Sequence, residues 1–142
     1  MCVFCNIAQG IWSSKKVYED DDILAILDLS QQTKGHTLIM PKKHYDNILD
    51  IPNDLLEKII TKAKEISSIY KKNLGADGFN LVNNCGEIAG QSVMHFHLHL
   101  IPRYKDDNSK LIFLNNYANN LSDANNEGKY DLDEILKEII KK

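Results

Sequence analysis

His95-Phe96-His97-Leu98-His99-Leu100-Ile101-Pro102-Arg103 is the stretch on which the reading of this chain turns. Three of the five histidines stand at alternate positions of one short apolar run. Such alternation argues for a strand rather than a helix. Successive side chains of a strand point to opposite faces, so the three imidazoles share one face while Phe96, Leu98 and Leu100 fill the other. An imidazole row carries a desolvation cost that Thr or Val would avoid, so it demands a chemical reason. Cα atoms two apart on a strand are separated by roughly 6.6 Å, and those of the outer histidines by roughly 13 Å. Metal–nitrogen bonds are only about 2.0–2.1 Å long, so two neighbours can share an ion but three can hardly do so. Separate rings suit nucleophilic and acid–base work: one attacks, while its neighbours fix tautomers, bind an anion or pass a proton.

Just upstream lies Gly86-Glu87-Ile88-Ala89-Gly90-Gln91-Ser92. Residues 85–90 read as a glycine-bounded loop joining a strand at 79–83 to the histidine strand, in a hairpin-like arrangement. The glycines let backbone approach a ligand, exposed N–H groups can cradle an anion, and Gln91 and Ser92 add donors. Alone this is an ordinary hairpin loop; beside three histidines, phosphate binding is the favoured reading. Asp28 ends an apolar strand at 23–28, where a carboxylate can accept from two vicinal hydroxyls, as in ribose recognition, or simply close a turn. Cys2-Val3-Phe4-Cys5 has the gap of half a four-ligand zinc site. Its other half would come from His36, His44 or the triad; two reduced thiols are the alternative. Cys85 sits in the ligand loop, where packing is favoured over a modifiable thiol.

Further strands are predicted at 17–22 and 36–40, the latter ended by Pro41, with a polar connection over 31–35 closed by Gly35. Residues 50–53 offer helix-start chemistry with Pro52 in the first turn. Leu55, Leu56, Ile59, Ile60, Ala63, Ile66, Ile69 and Tyr70 then keep a helical period as far as Gly75, a C-terminal cap. Residues 105–130 are polar and Asn-rich with an apolar patch at 111–114, and read as a meandering or partly ordered segment. Leu132, Ile135, Leu136, Ile139 and Ile140 form a stripe ending in lysines, which predicts a docked C-terminal helix. Short hairpin-connected strands with one long helix predict an α+β fold built on an antiparallel sheet. One domain is expected over 1–142, with 105–142 as a C-terminal extension.

The 142 residues suffice for one domain with a sizeable core. A composition of 43% hydrophobic and 26% charged residues is ordinary for a soluble protein. A net charge of −3 and a pI near 5.9 argue against a general nucleic-acid binder. No stretch approaches the roughly 20 apolar residues of a membrane span. Residues 1–5 carry neither the basic stretch nor the apolar core of a secretory signal. Three cysteines make a disulfide framework unexpected, and a reducing cytoplasm is the expected location. Sixteen lysines against the single Arg103 read as coding bias rather than function.

The run His95 to Ile101 resembles the signature of the histidine triad (HIT) superfamily, in which three histidines alternate with apolar residues. Lys34-Gly35-His36-Thr37-Leu38-Ile39-Met40-Pro41-Lys42-Lys43-His44 resembles the family's second block, and Ala89-Gly90-Gln91-Ser92-Val93 its phosphate loop. Cys2-Val3-Phe4-Cys5-Asn6-Ile7 and Leu27-Asp28-Leu29-Ser30 resemble the N-terminal blocks of zinc-containing bacterial-type members. These blocks run in order over residues 2–103.

The resemblance implies an antiparallel sheet with helices, paired into a homodimer, and a nucleotide hydrolase or transferase acting at an α-phosphorus. His97 matches the nucleophile that forms a nucleotidyl-histidine intermediate, later resolved by water. His99 matches a phosphate contact and proton donor to the leaving group, and His36 joins the catalytic set. Gln91 and Ser92 match phosphate ligands, Asn84 a phosphate or ribose contact, and Asp28 the ribose anchor. Val3, Phe4, Ile7, Ile26 and Leu29 match the apolar walls around a purine base, with an AMP- or GMP-like nucleotide as substrate or product. Cys2, Cys5, His44 and His95 match a structural zinc site. The Asn84 and Cys-pair features resemble the phosphoramidase-like branch more than the dinucleoside polyphosphate hydrolases. A non-catalytic nucleotide- or partner-binding module and a metal-dependent hydrolase are the rival readings.

Overall fold

The computed structural model describes residues 2–107 and 128–141. Helix α1 (Val3–Ala8) is followed by strands β1 (Lys16–Glu19), β2 (Ile23–Leu27) and β3 (Thr37–Pro41). Helix α2 (Asn53–Asn73), strands β4 (Gly78–Val82) and β5 (Leu98–Arg103), and helix α3 (Leu132–Ile140) complete the order. A short 3-10 turn over Glu87–Ala89 lies between β4 and β5. The strands form one antiparallel sheet in the order β1-β2-β3-β5-β4, as an α+β fold requires.

β2 and β3 are buried along their whole length, which explains their near-continuous apolar sequence. Alternation sorts their side chains onto two cores. Ile23, Ala25, Leu27 and Ile39 pack with Ile59, Ala63, Ile66 and Tyr70 of α2 and with Ile135 and Ile139 of α3. Leu24, Ile26, Leu38 and Met40 pack on the other side against Phe4 and Ile7 of α1. The same parity carries Asp28, His36 and the histidine row to the α1 side, while Phe96, Leu98 and Leu100 join the α2 core.

The long helix is as expected, with its buried stripe at Ile59, Ala63, Ile66 and Tyr70. Ile60 and Ile69 prove to be 49% and 44% exposed, because a stripe spaced by three and four leaves them on its flank. Pro52 is the N-cap, one position before the first turn, and Gly75 follows the C-cap Leu74 with φ 73°. Pro41 belongs to β3, paired with Ile23, rather than ending it. The C-terminal helix docks as predicted, with the Asp131 side chain capping Asp133 and Glu134. The apolar patch at 111–114 lies outside the described residues. Among the described residues no helix is long and apolar enough to cross a membrane.

Helix α1 had no periodic signal, since six residues are too few to show one. Its N-cap is Cys2, whose Sγ accepts from the Cys5 amide at 3.4 Å. The histidine strand also differs from expectation: β5 begins only at Leu98, and His95 and His97 precede it. The chain at 93–97 leaves the ladder to meet the loop around His44, where Phe96 N–H donates to Tyr45 O. The alternation of faces survives this departure.

Candidate functional site

The three triad histidines are buried, yet they have different surroundings. His97 Nδ1 lies 2.9 Å from the His95 carbonyl. A carbonyl only accepts, so a neutral His97 carries its proton on Nδ1 and leaves a lone pair on Nε2. Burial holds its pKa below the ordinary imidazole value despite that hydrogen bond, so the ring is neutral near pH 7. The Phe4 ring meets it edge-on at 5.0 Å, and Asn83 Nδ2 donates to the His97 carbonyl at 3.0 Å.

Behind it, His99 Nδ1 faces His36 Nε2 at 2.9 Å, and His36 Nδ1 accepts from the Gln32 amide at 3.1 Å. Because Nδ1 of His36 is an acceptor, its proton sits on Nε2 and is donated to His99. The proton of His99 is thereby placed on Nε2, as a donor for a ligand. Complete burial, and then the His97 ring, push the His36 pKa down to about 3. Burial, then His36 and His97, hold His99 well below its ordinary value. Asp28, His36 and His99 converge closely enough to hold a metal. The tautomer argues against one, since the facing Nε2 of His36 carries a proton.

The loop between β2 and β3 is built to hold His36. Gln31 Nε2 donates to the carbonyls of Asp28 and His36, and its Oε1 accepts from Gly35 N–H at 2.7 Å. Gly35 has φ 95°, and a Cβ there would lie 2.8 Å from Leu74 Cδ1, so no other residue fits without displacement. Asp28, 5% exposed, accepts from the Ser30 amide at 2.8 Å and places Oδ2 3.8 Å from His36 Nε2.

A cavity of about 290 Å3 opens onto His97. Val3, Phe4, Ile7, Ile26 and Leu29, all five expected wall residues, line it. Asp28 and Ser92 stand at its edge with His97. Its volume is at the small end for ligand sites and suits one nucleoside. A larger groove of about 400 Å3 lies against α2 and α3, with none of the histidines in its lining.

Four expected site residues, Gln91, Asn84, His99 and His36, are not on this lining. Gln91 is buried and spends its amide on the loop, accepting from Gly86 N–H and donating to the carbonyls of Asp46 and Val93. Asn84 Nδ2 donates to Gly90 O at 3.4 Å, which also braces the loop. His99 and His36 lie behind His97 rather than on the wall. Gln31 and Asn83 were missed, because a polar loop residue carries no signal of what its amide will hold.

Cys2, Cys5, His44 and His95 converge as expected, their ligand atoms all within 4.8 Å of one another. Cys2 Sγ lies 3.4 Å from His95 Nδ1, and Cys5 Sγ lies 3.3 Å from His44 Nδ1 and 3.5 Å from His95 Nδ1. Tetrahedral zinc with its usual bond lengths spaces sulfur and nitrogen by about 3.5 Å. Both rings present Nδ1 inward, and each Nε2 donates outward, His95 to Pro41 O and His44 to Asp46 Oδ1, both at 2.7 Å. Such outer bonds fix the tautomer a metal ligand needs. Asp46, two residues beyond His44, is a supporting residue the sequence reading overlooked. Burial opposes ionising Cys2, but the Cys5 amide and thiol and the His44 ring outweigh it and lower its pKa. Burial, and then Cys2, push Cys5 up to about 11.

An antiparallel sheet with a histidine row on one face and a Cys–Cys–His–His cluster at its head defines a histidine triad protein. The chain belongs to that family, the HIT domain matching residues 10–106. It is 45% identical over 139 residues to an uncharacterized HIT-like protein of Methanocaldococcus jannaschii, covering 98% of each chain. It is 42% identical over 106 residues to adenylylsulfatase HINT3 of Arabidopsis thaliana, covering 75% of this chain and 54% of that one. A zinc-bound histidine triad family protein from Mycobacterium smegmatis shares the fold at a TM-score of 0.75 and 32% identity, over 97% of this chain and 94% of that one.

Proposed function

We propose that this protein is a nucleotide hydrolase acting at the α-phosphorus of a purine nucleoside phosphoramidate through an intermediate on His97. The observation that carries the reading is the His97 ring, neutral and with Nδ1 bound to a carbonyl, at the wall of a nucleoside-sized cavity. His97 Nε2 attacks phosphorus while His99 Nε2–H donates to a phosphoryl oxygen, and the departing nitrogen takes the P–N electron pair and a proton from solvent water. A water molecule then attacks the nucleotidyl-histidine, gives up its proton to solvent and releases the nucleoside monophosphate with His97 restored. Ser92 binds a phosphoryl oxygen, and Asp28 accepts from the ribose hydroxyls, while the amides of Gly86, Ala89, Gly90 and Gln91 are spent within the loop. Val3, Phe4, Ile7, Ile26 and Leu29 hold the base. A relative named as an adenylylsulfatase supports chemistry at an adenylyl phosphorus.

Cys2, Cys5, His44 and His95 would hold a structural zinc. Four protein ligands leave no open position for water, so the ion's contribution is to fasten α1, with Phe4, against the histidine row. The zinc-bound relative supports this assignment.

Incubation with an adenosine phosphoramidate labelled at phosphorus, acid or base quench and mass measurement tests the reading. A nucleotide adduct mapping to His97 is expected. Tight binding with no turnover would leave a binding module, and chelator-sensitive turnover without an adduct a metal hydrolase. A homodimer is also proposed, supported by the edge strand β4, which among the described residues pairs with β5 alone and exposes Leu81. Light scattering should report twice the 16.2 kDa chain mass, and a monomer at micromolar concentration contradicts it.

A further inference from the structure

A second cavity, of about 370 Å3, adjoins the nucleoside cavity and shares Val3, Ser92 and Val93 with it. The rest of its lining is Cys2, His44, Asp46 and Met94. His97 lines the first cavity and not the second. In an in-line displacement the leaving group departs away from the attacking atom. A phosphoryl group bound at Ser92, with its nucleoside against Phe4 and Ile7, therefore has this second space beside it for whatever departs.

The lining also states what charge it accepts. Among the described residues it contains no Lys or Arg, and it contains the carboxylate of Asp46. Asp46 Oδ1 is engaged by His44, the side chain is 60% exposed, and among the described residues no donor engages Oδ2. Its backbone is held in place, because Gln91 Nε2 ties Asp46 O to Val93 O across the cavity rim. The cluster beside it adds no positive charge when filled, since two thiolates balance a divalent ion. Val93 and the Met94 side chain, 41% exposed, supply apolar surface between Ser92 and the carboxylate.

We infer that this second cavity is the leaving-group subsite, and that it selects an amine bearing a second, positively charged nitrogen on a short apolar chain. The inference rests on the phosphoramidase reading above and narrows it. Sulfate or a second nucleotide would depart as an anion beside a carboxylate with no cation to receive it. A cationic amine places its stem on Val93 and Met94 and its ammonium at Asp46. The bond changes are those already described, with P–N broken and the nitrogen leaving as the free amine.

The test uses three adenosine 5′-phosphoramidates of similar length, made from 1,3-diaminopropane, butylamine and β-alanine. Wild-type kcat/KM should favour the ammonium tail over the neutral one by about two- to fivefold, the range of a water-facing charge contact. The carboxylate tail should be the poorest, and the spread should shrink in high salt. Asp46→Asn keeps an acceptor for His44 and should bring the ammonium and neutral substrates together. Met94→Lys, at an exposed position, should raise the carboxylate-tailed substrate above the ammonium-tailed one. Equal rates for all three substrates in wild type, or a cation preference that both variants leave intact, overturns the subsite while the phosphoramidase reading stands. No turnover of any of the three and no adduct at His97 defeats that reading itself, and the subsite with it.

Discussion

His36 Nε2 and His99 Nδ1 face each other at 2.9 Å inside the protein, with the Gln32 amide closing the far side of His36. Every proton in this chain of rings has one place to be. The cost of the arrangement is that neither ring can be charged cheaply. The Asp28 carboxylate favours a cation at His99, but burial, His36 and His97 outweigh it.

Acid should therefore destabilise the fold early. Both rings titrate in the folded protein below the ordinary imidazole value of about 6.5, His36 at about 3. Between those values the unfolded chain binds more protons, so their stabilisation is complete above about pH 6.5 and is lost as pH falls toward 3. Each ring contributes up to about 1.4 kcal/mol per pH unit in that window. Thermal melts at pH 7, 5.5 and 4.5 should show a steep fall in Tm; a flat Tm means the rings are solvated or charged when folded.

His97→Ala should abolish turnover by several orders of magnitude while nucleoside monophosphate still binds, because the attacking lone pair is removed and the cavity walls remain. Rates by product release and affinity by calorimetry check the two halves. More than a tenth of wild-type activity removes His97 from the nucleophile role.

Asp28→Asn should weaken ribonucleotides about tenfold more than 2′-deoxynucleotides, since a charged acceptor to a hydroxyl is worth about 1.5–3 kcal/mol. Asn retains an acceptor for the Ser30 amide, which Ala would not. Equal weakening of both nucleotides would make Asp28 a turn residue.

Cys2→Ser with Cys5→Ser should remove zinc, lower Tm and loosen nucleotide binding, because α1 carries both thiols and the Phe4 wall. Covalent labelling of His97 should persist. Elemental analysis finding no zinc in wild-type protein purified without chelators refutes the metal site; loss of all labelling in a folded double variant favours a catalytic metal.

What the sequence determined follows from periodicity. Residues at 24, 26 and 28, at 36, 38 and 40, and at 95, 97 and 99 share parity, and pleated backbone sends equal parity to one face. The histidine row was thus legible, as was the buried stripe of α2; the apolar wall, three of whose residues lie on α1, came only from the family resemblance. Local pattern carries no information about where a chain leaves its ladder, so the start of β5 at Leu98 and the six-residue α1 were not legible. Tertiary structure alone decided which polar groups meet. Gln31 lies next to Gly35 and His36 only because the β2–β3 connection folds back on itself. Asp46 reaches the cavity rim only because Gln91, 45 residues away, ties down its carbonyl. Side-chain hydrogen bonds depend on atoms a few ångströms apart in space, at separations along the chain that no residue pattern encodes.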